Sequence, residues 1–98
     1  MYLVHIHLGP HPAGRPLPDL AADVLQFCAT DADRLELTCV HPDALPHPVI
    51  ALFLIAESLA TAEATAHDLW RRTVIAYPHL SAWAVRSAQV PLMPEDLW

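Results

Sequence analysis

The chain has 98 residues, 54% of them apolar and only 16% charged, against about 25% charged in an ordinary soluble domain. Net charge is −6 with histidine neutral, and all five basic residues are arginine. A nucleic-acid binder must neutralise many phosphates, so this balance argues against one. The longest apolar run, residues 49–56, falls far short of the ~20 residues that span a bilayer.

Residues 2–8, YLVHIHL, predict a strand, with Tyr2, Val4, Ile6 and Leu8 on one face and Leu3, His5 and His7 on the other. Residues 9–18 hold four prolines and both glycines, so they form a semi-rigid loop. A helix follows from Asp19, which is placed to cap it. Leu20, Val24, Phe27 and Cys28 fall at i, i+4, i+7 and i+8, one apolar stripe, and Asp31 and Asp33 mark the exit.

Residues 34–40 alternate. Leu35, Leu37 and Cys39 face one side, and Arg34, Glu36 and Thr38 the other, as in a half-buried edge strand. HPDALPHP, residues 41–48, is too long and stiff for a tight hairpin turn and reads as a rigid surface connection. Residues 49–56, VIALFLIA, do not alternate, so both faces must be covered and the strand is central. Ser58 is placed to cap a helix over residues 59–77. Its core stripe is Leu59, Ala62, Ala66, Leu69, Thr73 and Ala76, widened by Trp70, Val74 and Tyr77, and Pro78 ends it. Asp68 and Arg72 are spaced as an i,i+4 ion pair. Residues 81–90 predict the last strand, and a proline-containing tail runs to Trp98.

Strand, helix, strand, strand, helix, strand is the order of a ferredoxin-like split βαβ unit, an α+β fold. The expectation is one domain over residues 1–98. Its first and third strands are central and its two helices cover one face of a four-stranded antiparallel sheet. Leu3, His5, His7 and one face of the third strand are then left on the open side. So apolar a face predicts a homodimer packed sheet to sheet.

The element order, the apolar third strand and the ending AYPHLSAWAVRSAQV resemble the dimeric α/β-barrel superfamily over nearly the whole chain. That family includes small cofactor-independent monooxygenases, polyketide cyclases, heme-degrading enzymes and stress-responsive proteins. The resemblance implies a fold and a dimer. It transfers no catalytic residue, because no family motif is present and fold alone does not give activity.

His5 and His7 share a strand face at a spacing of about 7 Å, which lets two imidazoles reach one metal. A third ligand would have to come from His11, or from His41, Asp43 or His47 in the second proline-rich connection. No second-shell acid is identifiable, so no bound metal is expected, with His5, His7 and His11 as the weak candidates. Histidines that are polar members of a mostly apolar seam are the simpler expectation. The two cysteines, Cys28 and Cys39, form no CxxC pair and read as free thiols. With glycine only at positions 9 and 14, neither GxGxxG nor a Walker loop is present, and no cofactor is expected. No signal peptide precedes the first strand, which suggests a soluble cytoplasmic protein.

Two functions follow. One is a small homodimeric binding or accessory protein without a catalytic motif, whose partner is a second copy, another protein or a hydrophobic small molecule. The other is a cofactor-independent monooxygenase or cyclase acting on a hydrophobic aromatic substrate. It would use His5 or His7 as general acid or base, with Trp70, Tyr77 and Trp83 as the ligand pocket. The seven histidines could also make association sensitive between about pH 5 and 7.

Overall fold

The computed structural model describes residues 1–44 and 47–90. In chain order it contains β1 (Tyr2–Leu8), α1 (Leu20–Cys28), β2 (Leu35–His41), β3 (Val49–Leu54), α2 (Leu59–Ala76) and β4 (Val85–Gln89). Short 3-10 turns occupy Asp31–Asp33 and Pro78–Ala82. Leu45 and Pro46 of the second connection, and the tail over residues 91–98, lie outside the described residues. The strands form one antiparallel sheet in the order β2-β3-β1-β4. This is the ferredoxin-like split βαβ fold, with β1 and β3 central as the apolar grading requires.

Alternation in the central strands sets the core. Val4, Ile6 and Leu8 of β1 and Ile50, Leu52 and Leu54 of β3 are fully buried. They form one cluster with Ala62, Ala66, Leu69 and Trp70 of α2 and with Ala21 and Leu25 of α1. Buried Thr73 satisfies its hydroxyl by donating to the Leu69 carbonyl at 2.8 Å. Ser58 caps α2 as expected, its hydroxyl accepting from the Thr61 N–H at 3.1 Å. Asp19 sits at the N-terminus of α1 but makes no side-chain capping bond.

Several expectations need correction. In α2 the buried face is Ala62, Ala66, Leu69, Trp70 and Thr73, while Leu59 and Ala76, the first and last residues of the helix, are exposed and Tyr77 lies just past its end. The buried face of α1 is Ala21 and Leu25, while Leu20 is 59% and Phe27 81% exposed. The reason lies just ahead of the helix. Leu17 is buried, and Leu17, Ala21 and Leu25 make a competing i, i+4, i+8 stripe anchored by the proline-rich loop. In β2, Leu35, Leu37 and Cys39 do not share a face. A bulge between Leu35 and Leu37 breaks the alternation. Leu35 and Val40 pack on the core, Thr38 is buried, and Leu37 is half exposed. The bulge follows Arg34, whose left-handed φ of 54° ends the preceding 3-10 turn. Finally, β4 starts at Val85 rather than residue 81, because the chain after Pro78 first winds through its 3-10 turn.

Arg72 ties the helical layer to the start of β2. It donates to Asp68 Oδ2 at 2.9 Å, the expected i,i+4 pair, and to Asp33 Oδ1 at 2.6 Å across 39 residues of sequence. Burial alone would raise the Asp33 pKa, but the Thr30 N–H and the Arg72 guanidinium outweigh it and hold the carboxyl below its ordinary value. The bridge therefore stabilises the fold above the usual carboxylate range and is lost as pH falls below it. Arg72→Ala should cost about 1 kcal/mol, because the pair is only partly shielded from solvent. Urea denaturation at neutral pH measures this loss, and a cost near zero would show the bridge to be energetically idle.

Candidate functional site

The open face of the sheet is built by strand register. Leu3 pairs with Phe53 and Phe53 with Leu37. One step along, His5 pairs with Ala51 and Ala51 with Cys39. One step further, His7 pairs with Val49 and Val49 with His41. On the other side of β1, Gln89 and Ser87 of β4 pair with His5 and His7. Directly paired residues share a face, so the open face has an apolar row at one end and histidines at the other. None of these side chains carries a carboxylate, an ammonium or a guanidinium.

Four imidazoles meet at the histidine end. The His5 ring centroid lies 6.0 Å from His7 and 6.5 Å from His41, and that of His7 lies 5.5 Å from His47. Three of them, His5, His7 and His41, line a concavity of about 580 Å³ together with Val49 and Asp43. Burial lowers the His5 pKa first, and the neighbouring His7 and His41 lower it further. Burial likewise lowers that of His7, helped by His47. Both imidazoles are thus held neutral at neutral pH, the state that can take a proton or accept a hydrogen bond.

His11 does not join them. Its ring lies 4.9 Å from that of Trp83, and its Nδ1 accepts the Ala13 N–H at 2.9 Å. Among the described residues no three His, Cys, Asp or Glu side chains come together as a metal site. Cys28 and Cys39 are free thiols.

Trp70, Tyr77 and Trp83 are not brought to one cleft, nor to His5 and His7. Trp70 and Trp83 belong to the buried cluster under the helices. They reach a groove of about 260 Å³ between α2 and β4, beside His67 and Arg71. Tyr77 borders a different hollow of about 220 Å³, with Val24 and Leu80. Trp83 Nε1 and Thr38 Oγ1 are buried without a hydrogen-bond partner among the described residues. His41 and His47 stand in sequence as residues of a connection. Their membership of the cluster follows from His41 ending β2 opposite Val49 and from His47 standing beside His7 of β1, which no local pattern reports.

Among the described residues no helix is long and apolar enough to cross a membrane. Comparison with protein-family models, with curated proteins and with solved structures finds no match for this chain.

Proposed function

We propose that this chain is a small binding or accessory protein that works as a homodimer, two copies packing sheet to sheet as in the dimeric α/β-barrel superfamily it resembles. The observation that carries this reading is the composition of the open face. Leu3, Phe53 and Leu37 form a row across three strands in which Leu37 is half exposed, and no formal charge interrupts it; Ala51 and Val49 continue it but are already buried beneath their neighbours. Such a face is costly to leave in water. A second copy is the occupant it suits. Two chains of net charge −6 repel each other, and this face lets them meet without opposing carboxylates. A basic partner would instead call for acidic groups here. Sedimentation at micromolar concentration and neutral pH should give twice the chain mass of 10.8 kDa. A monomeric mass would refute the dimer.

The histidine-lined concavity supports a second reading, a cofactor-independent enzyme using His5 or His7 as general base on a hydrophobic aromatic substrate. Neutral imidazoles beside the apolar wall of Val40 and Val49 are suited to that chemistry. Saturable binding of a phenolic ligand that His5→Gln abolishes without change in fold would favour it over the accessory role.

A further inference from the structure

Acidification has two opposite effects on two copies of this chain, and the fold separates them. Protonating the seven histidines moves the net charge from −6 towards neutrality, so overall repulsion between chains weakens. At the open face the reverse holds. His5 and His7 of β1, His41 of β2 and His47 of the second connection stand within 5.5–6.5 Å of a neighbouring imidazole.

The residues paired with them are Val49 and Ala51 of β3, Cys39 of β2, and Ser87 and Gln89 of β4, all without charge; the nearest fixed charge on β4 is the Arg86 guanidinium, a cation that lies against Gly9 just past His7. Among the described residues, Asp43, exposed in the connection, is the one carboxylate lining the concavity. None of the four imidazoles is hydrogen-bonded to an acidic side chain among the described residues. A packed sheet lies about 10 Å from its partner and excludes water. Imidazolium charges gathered there would be desolvated with only Asp43, among the described residues, to pair them.

We propose that the sheet-to-sheet dimer holds only while the histidines at one end of the open face are neutral, so that mild acid separates the two copies. The inference rests on the dimer reading above. Within the single chain, burial and the neighbouring imidazoles already lower the pKa values of His5 and His7. Covering the face with a second copy removes more water from the same groups and so lowers them further; separation then takes up protons, and pairing weakens as pH falls through the histidine range. The interface acts as a proton sensor, with overall charge opposing it and local charge prevailing.

The test is sedimentation of the wild type at about pH 7.5 and about pH 5, with far-ultraviolet circular dichroism at both. The dimer dissociation constant should rise at least about tenfold at the lower pH while the fold persists. The double variant His5→Gln with His7→Gln, polar but not titrating, should stay paired at both. His41→Gln, exposed on the edge strand, should move the dissociation midpoint to lower pH. A wild type equally dimeric at both pH values overturns the sensor and leaves the dimer standing. A wild type monomeric at both overturns the two together. Unfolding at about pH 5 without prior dissociation, or an unmoved midpoint in His41→Gln, also overturns the sensor.

Discussion

Trp70→Ala should cost about 3–5 kcal/mol, the range for emptying a buried aromatic site. A domain of this size has about 5–15 kcal/mol in all, so the variant should be marginal or unfolded at 37 °C. Among the described residues Trp70 is the largest fully buried side chain, and it packs in the cluster that joins α2 to β1 and β3. Ala66, one turn earlier on the same face of α2 and in the same cluster, is too small to close the cavity. Urea denaturation by tryptophan fluorescence and circular dichroism measures the loss. Trp70→Phe should recover much of it, since it restores most of the volume. If Trp70 were instead the wall of an open ligand cleft, the alanine variant would lose less than about 1 kcal/mol and the midpoint would barely move. The result therefore bears on whether the aromatics under the helices serve packing or an active site.

Phe53→Asp should abolish pairing at micromolar concentration while leaving the fold intact. Phe53 lies at the centre of the apolar row, on the face away from the core, and its Cα partners are Leu3 and Leu37. A two-fold interface duplicates every change, so two unpaired carboxylates would enter the seam of each dimer. Truncating one partner of a buried charge pair typically costs about 2–5 kcal/mol. A carboxylate with no partner at all should therefore weaken association by at least about a hundredfold. Phe27→Asp is the control. Phe27 is 81% exposed on α1, against the opposite layer of the molecule, and its substitution should change neither fold nor association. Sedimentation of the three proteins side by side decides the matter. A Phe53→Asp chain that pairs as well as the wild type would place the seam elsewhere.

The element order, the span of β1 and the central place of β3 were all legible in sequence. Alternation and its absence are direct consequences of how many faces of a strand are covered, as YLVHIHL and VIALFL show. The Ser58 cap and the Asp68–Arg72 pair were legible too, because both act within one turn of helix. What failed was wherever two local patterns competed. α1 carries an outer stripe through Leu20 and Phe27 and an inner one through Ala21 and Leu25, and the burial of Leu17 outside the helix chose between them. In β2 a single inserted residue, bulged after the left-handed Arg34, turned Leu37 and Cys39 to the open face.

The candidate site divides in the same way. His5 and His7 share a face because a strand has a period of two residues, which the sequence determines by itself. Their meeting with His41 and His47, like the reach of Arg72 to Asp33 across 39 positions, depends on which strands neighbour one another and in what register. Those are properties of the assembled sheet, set by burying one common core, and only the tertiary structure decided them.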